Sequence, residues 1–300
     1  MRARVVALAG VLLATGCGSG SSAHSSHAGD TLQALSSASG LKTVALTPGD
    51  ADFSPGPVRY SFLVVADDGH LVAKPTAQVW VARGFKQKPY TQAIARLETV
   101  GVPGVSDTAN VPSIYVTHVH ASKPGTYWVF AKPKGSKIVG LGNFVVRKTS
   151  YSPEVGARVP DSNTPTLAST HDNLAAVTTA PHPDRALYTH SVAQELAAHR
   201  PFVVTFATPK FCTSRTCGPV VDVVSRVRRD LVRSGIDFIH VEVYKNNDPS
   251  QGYNQWMKQW GLESEPWVFL VGRDGRVKAK FEGALSVGEL RSAVASQLLD

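Results

Sequence analysis

Residues 151–179 are rich in Pro, Ser, Thr and Asn, and the chain repeats its apolar residues differently on either side of them. On the N-terminal side, residues 43–148 are rich in strand patterns. Val58, Tyr60, Phe62 and Val64 fall on one strand face with Arg59 and Ser61 between them, and the run ends at an Asp67-Asp68-Gly69 turn. Gln78-Val79-Trp80-Val81, Ile114-Tyr115-Val116, Thr126-Tyr127-Trp128-Val129-Phe130 and Asn143-Phe144-Val145-Val146 continue the series, punctuated by Lys123-Pro124-Gly125 and Lys134-Gly135. Short β-branched and aromatic runs bounded by turn residues predict an antiparallel β-sandwich.

The C-terminal side mixes the two periods. Ser191-Val192-Ala193-Gln194 is a capping box for a short helix running to about His199, and Pro201 separates it from an apolar strand, Phe202 to Phe206. Val220, Val223, Val224, Val227 and Leu231 then form one helical stripe, which Gly235 stops. Ile236 to Tyr244 is a second strand pattern, so the three elements make a βαβ unit with an expected right-handed crossover. Tyr253, Trp256, Met257 and Trp260 read as the core stripe of another helix, closed by Gly261. Trp267 to Val271 and Val277 to Phe281 are joined across Arg273-Asp274-Gly275-Arg276, a hairpin signal. A second capping box, Ser286-Val287-Gly288-Glu289, opens a terminal helix carrying Leu290, Val294 and Leu298.

Two of the three cysteines, Cys212 and Cys217, lie between the first of these strands and its helix. A helix N-terminus offers unpaired N–H groups and the positive end of a dipole, and both favour a thiolate over a thiol. The third cysteine, Cys17, ends an N-terminal segment of a different kind. Arg2 and Arg4 precede a short apolar run, Val5 to Ala14, too short to span a bilayer. Leu13-Ala14-Thr15-Gly16-Cys17 resembles the bacterial lipobox, with Ala14 where that motif usually has Leu. The resemblance implies a signal peptide over residues 1–16 and lipidation of Cys17. It also implies a soluble body anchored on the extracytoplasmic face of the cell membrane. Gly18 to Gly29 is almost free of bulky residues, so residues 17–42 are expected to be a flexible tether.

Export leaves Cys212 and Cys217 as an even pair in a compartment where disulfides persist. The net charge of +8 falls by the two charges of Arg2 and Arg4 to +6, which suits an anionic envelope without specifying a ligand. Arg226, Arg228, Arg229 and Arg233 read as the solvated face of one helix with no interleaved aromatics, so no nucleic-acid partner is expected. His118 and His120 share a strand face and would begin a metal site only with a third ligand, which the sequence does not identify. No metal and no cofactor are expected.

The strand ending in Phe206-Ala207, the Cys212/Cys217 pair, the tripeptide Cys217-Gly218-Pro219, and Glu265-Pro266 ahead of the hairpin together resemble the thioredoxin superfamily, nearest its exported redoxin (TlpA-like) members. Val155-Gly156-Ala157-Arg158-Val159-Pro160 is similar to the opening segment of redoxin domains. The resemblance implies an α/β thioredoxin-like unit over residues 186–300, reached through a linker and opening segment at 149–185. It also implies that Pro266 is cis and lies against the cysteines. For residues 43–148, the Pro124-Gly125-Thr126-Tyr127 corner resembles immunoglobulin-like modules.

This chain departs from the superfamily's pattern in two respects. Its cysteines are separated by four residues rather than two, with Val220 in the place of the usual second cysteine. Either Cys212 is the attacking thiol, or Cys217 at the helix mouth is the more acidic one with Cys212 as its partner. The acid that thioredoxins bury beneath the pair is also missing, since Val204 and Thr205 occupy that strand. The expected function is thiol–disulfide exchange, with Cys212, Cys217 and Pro266 as the catalytic residues. Its partners would be exported protein disulfides or thiols, together with a membrane electron-transfer partner. One alternative is a binding module with a structural Cys212–Cys217 disulfide. A more remote alternative is a Sco-like copper carrier, which would need a histidine near the cysteines; residues 263–271 hold none, and His240 lies inside a strand pattern.

Overall fold

The computed structural model describes residues 30–106 and 111–299. The signal peptide, Cys17 and the tether up to residue 29 lie outside the described residues. The remainder of the expected tether is not free chain. Residues Leu32–Ser36 form a short helix (α1) that buries Leu32 and Leu35 against Trp80, Phe130 and Val139.

Seven strands follow: β1 (Lys42–Pro48), β2 (Gly56–Val64), β3 (Thr76–Ala82), β4 (Thr91–Thr99), β5 (Ser113–Ala121), β6 (Gly125–Pro133) and β7 (Ile138–Val146). Their order is β1-β2-β5-β4-β3-β6-β7, and β1 runs parallel to β7, so the sheet closes on itself. The expected antiparallel β-sandwich is a sheet-rich unit here, and its seven strands close into a barrel. Two strands change partner midway and make the closure. β1 pairs with β7 through Ala45 and with β2 from Leu46. β4 pairs with β3 through Arg96 and with β5 from Arg96 onward. The period-two face of β2 supplies the interior as expected. There Tyr60 packs on Phe144 at 4.8 Å between ring centres, and Phe144 stacks on Tyr127 at 5.3 Å.

Residues 149–185, expected as a linker and opening segment, are packed onto the C-terminal unit. Gly156 and Val159 donate to the carbonyls of Val277 and Gly275. Ser162 is fully buried and accepts the indole N–H of Trp260 at 3.0 Å. A short helix, α2 (Leu174–Val177), and a 3₁₀ turn at Arg185–Tyr188 bring Val177, Leu187 and Tyr188 into the same core as Val203 and Val220. Polar composition misled here because Ser and Thr hydroxyls can be buried once each finds a partner.

The C-terminal unit comprises α3 (Val192–Ala197), β8 (Phe202–Phe206), α4 (Cys217–Asp230), β9 (Asp237–Val241), α5 (Gln255–Gln259), β10 (Trp267–Val271), β11 (Val277–Glu282) and α6 (Val287–Leu298). The sheet order is β11-β10-β8-β9, with β8 and β9 parallel and the other pairs antiparallel. That is the thioredoxin-like order expected from the sequence. β8 and β10 are buried at every residue, as their continuous apolar runs require. α4 and α6 cover one face of the sheet, and α3 and α5 the other. Both capping boxes form, at Ser191/Gln194 and Ser286/Glu289.

Two boundaries differ from the sequence pattern. β9 ends at Val241 rather than Tyr244, and α5 starts at Gln255, where the Asn254 side chain accepts from the N–H groups of Trp256 and Met257. Tyr253 therefore lies outside the helix, and its ring stacks on Tyr244 at 5.6 Å.

The two units share a charged junction. Arg59 on β2 reaches Asp50 at 3.1 Å, the Ala284 carbonyl at 2.9 Å and Glu289 of α6. Asp52 accepts hydrogen bonds from Ser150 and Ser152 and lies 3.4 Å from Lys280 of β11.

Candidate functional site

β8 ends at Phe206, and the buried residues Ala207 and Thr208 lead into a loop that returns at Cys217, the first residue of α4. The loop can turn back on itself because Arg215 takes a left-handed conformation, with φ 57°. Cys212 and Cys217 are joined by a disulfide with their Cα atoms 5.9 Å apart. The accessibility of the two sulfurs, left open by the sequence, differs sharply. Cys217 is 0 % exposed, within a cluster that includes Ala207, Val220 and Val224, whereas Cys212 is only partly buried.

The surroundings of Cys212 suit a thiolate. The Cys217 N–H donates to Sγ of Cys212 at 3.3 Å, and the Ser214 hydroxyl lies 3.2 Å from the same sulfur. Thr216, the N-cap residue of α4, makes no side-chain cap. The sulfur of Cys212 thus meets the N–H of the helix's first residue, one of its orphan donors.

Pro266 follows a cis peptide bond from Glu265 and directly precedes β10. Trp267 pairs with Phe206, so Pro266 lies at the end of the sheet from which the cysteine loop leaves.

No acid beneath the pair is evident from the sequence, and in the structure a buried carboxylate is linked to the cysteine loop through Thr179. Glu242, just past β9, is 5 % exposed. Its Oε1 accepts from the Thr179 hydroxyl at 2.7 Å, and its Oε2 finds no partner among the described residues. The Thr179 oxygen in turn accepts from the backbone N–H of Lys210, two residues before Cys212. His240 lies on the same strand run, with Nε2 3.0 Å from the Ala207 carbonyl and Nδ1 2.8 Å from the Tyr188 hydroxyl. Burial holds the His240 imidazole below its ordinary pKa and raises the Tyr188 phenol above its own. The available signal was His240 and Glu242, two apart and so on one face of an apolar-rich strand pattern.

Both ring nitrogens of His240 are engaged, so it presents no free donor to a metal. His118 and His120 are exposed on the outer face of β5. His190, Glu195 and Asp237 come together closely enough to ligate a cation. The Arg200 guanidinium fills that role, with 2.8 and 2.7 Å bonds to the two oxygens of Glu195 and a 3.4 Å contact to Asp237. The arginines of α4 are paired rather than free: Arg228 and Arg229 with Asp184, and Arg226 with Asp230.

No family model matches the chain, and no curated protein matches it. Among solved structures, it is similar to a candidate thiol:disulfide interchange protein DsbE from Chlorobium tepidum, at 14% identity and a TM-score of 0.33, over 49% of this chain and 99% of that one. It is also similar to a thiol:disulfide interchange protein of the thioredoxin family from Chlorobium tepidum TLS, at 16% identity and a TM-score of 0.27, over 33% and 80%. Both likenesses are too loose to assign anything to this chain, and its thioredoxin-like architecture rests on the strand order and on the placement of the disulfide.

Proposed function

We propose that the chain is an extracytoplasmic thiol–disulfide oxidoreductase acting through Cys212 and Cys217, anchored to the membrane by lipid on Cys17. The observation that carries this reading is the asymmetry of the pair. One sulfur is reachable and faces a helix N–H, and the other is sealed behind it. In the reduced protein the Cys212 thiolate attacks one sulfur of a substrate disulfide and expels the other as a thiolate. The Cys217 sulfur then attacks Cys212 and releases the second substrate thiolate. The substrate gains two electrons, and the Cys212–Cys217 bond forms. Run in reverse, a partner thiolate enters at Cys212 and the protein is reduced.

Exported proteins with disulfides or thiols are the substrates of this reading, and a membrane electron-transfer protein is its redox partner. We read the N-terminal barrel as immunoglobulin-like. Its orders β1-β2-β5-β4 and β3-β6-β7 correspond to the two sheets of that fold, with the partner-switching strands joining them.

The complete burial of Cys217 also favours a second reading, a purely structural disulfide in a binding module. Insulin-disulfide reduction and oxidative refolding of a thiol substrate separate the two. Wild-type protein should be active in at least one assay and Cys212→Ser in neither. Inactivity of the wild type in both leaves the structural disulfide.

A further inference from the structure

Past the end of β4, residues 101–106 leave the barrel and lodge in the C-terminal unit. Gly101 forms a parallel bridge with Ser286 and donates its N–H to the Leu285 carbonyl at 3.4 Å. Val102, 4 % exposed, is buried in the cluster that contains Cys217 and Val220 rather than in the barrel's own core. The Ser106 hydroxyl accepts from the Val102 N–H at 2.8 Å and donates to the Asp222 carboxylate of α4 at 2.9 Å. Gly101 has φ +80°, and a Cβ there would lie 2.9 Å from Cβ of Pro219. Pro219 and Asp222 are two and five residues beyond Cys217 on the same helix. A segment of the barrel is therefore wedged between the opening of α4 and the start of α6.

Resting on the thiol-exchange reading above, we propose that residues 100–106 of the barrel are a positioning element of the redox site, holding the first turns of α4 and thereby setting the equilibrium and reactivity of the Cys212–Cys217 pair. α4 has no side-chain N-cap of its own. Its mouth is held by the covalent loop on one side and by this wedge on the other. Reduction removes the first hold and leaves the second. The N–H of Cys217 faces the Cys212 sulfur only while the first turn keeps its place, so the wedge governs how well that N–H serves a Cys212 thiolate. The barrel is on this account part of the redox machinery rather than a spacer.

The test compares full-length Gly101→Ala and Ser106→Ala with wild type in glutathione buffers, reading the thiol–disulfide equilibrium constant and the pH profile of Cys212 alkylation. Ser106→Ala should shift the equilibrium constant by roughly threefold, the scale of one net hydrogen bond. Gly101→Ala should shift it by more, because the added Cβ must displace Pro219 or Ser106. Ser136→Ala, a barrel hydroxyl bonded to Ile138 and not to α4, should leave both readings unchanged. Should Gly101→Ala fail to fold, Ser106→Ala alone decides. Wild-type constants and profiles in every folded variant overturn the proposal. A wild type that exchanges with no thiol overturns the thiol-exchange reading along with it.

Discussion

Arg59 of the barrel forks onto Glu289 of α6, with Nε 2.9 Å from one carboxylate oxygen and Nη2 3.2 Å from the other. The same guanidinium contacts Asp50, so a single buried cation serves two carboxylates across the junction. Removing one partner of a buried ion pair strands the other charges and costs about 3–5 kcal/mol. Arg59→Met should lower stability by that amount and split a single urea transition into two, followed by tryptophan fluorescence and far-UV circular dichroism together. One unsplit transition at the wild-type midpoint would show that the junction contributes nothing.

Asp50 and Asp52 should respond to pH in opposite directions. Burial lifts the Asp50 carboxyl from 3.8 to about 6, against the pull of Arg59 and the hydrogen bonds of Ser61. Its contribution to stability is full below about pH 4 and is lost as pH rises through 6. Burial also pushes Asp52 up, but hydrogen bonds from Ser150 and Ser152 and the charge of Lys280 outweigh it and hold this carboxyl below its ordinary value. Its contribution is present above about pH 4 and is lost as pH falls through the lower folded value. Urea midpoints measured from pH 2.5 to 8 should lose their decline between pH 4 and 6 in Asp50→Asn. In Asp52→Asn they should lose part of their acid limb.

Once reduced, the two thiols should differ in reactivity by roughly tenfold or more, since only Cys212 is both reachable and served by the helix N–H. Brief iodoacetamide treatment followed by peptide mapping should place the label on Cys212. Cys217→Ser should trap mixed disulfides on Cys212, whereas Cys212→Ser should trap none. Equal labelling would contradict the asymmetry. Losing so short a covalent loop should cost the double-serine variant only about 2 kcal/mol.

The Ser286 hydroxyl caps α6 through the Glu289 N–H at 3.1 Å and also donates to Glu98 of β4 at 2.9 Å. Ser286→Ala should cost about 1 kcal/mol for the cap, and Glu98→Ala in that background should cost less than in wild type. Additive losses in the double-mutant cycle would show that the two bonds are independent.

The C-terminal unit was legible because its signals are local. The valine stripe of α4, both capping boxes and the hairpin at Asp274-Gly275 depend on neighbours within one or two turns, and each forms where its pattern falls. Five of the seven barrel strands, β2, β3, β5, β6 and β7, were legible and β1 and β4 were not; nor was the closure, since period two fixes a face and says nothing about which strand changes partner. In residues 149–185 composition did not show the packing: Ser162 and Thr179 are polar, yet Trp260 and Glu242 give them partners from far along the chain.

The amino-acid order alone determined that two thiols would stand at a helix mouth at the end of a parallel strand, because strand, loop and helix there are set by adjacent side chains. Only the tertiary structure decided which sulfur is open, that the buried Glu242 is linked to the cysteine loop through Thr179, and that the barrel presses on the cysteine helix. Each of those outcomes depends on residues far apart in sequence, Val102, Thr179 and Tyr188 among them, and burial is a property of the packed whole that no local pattern encodes.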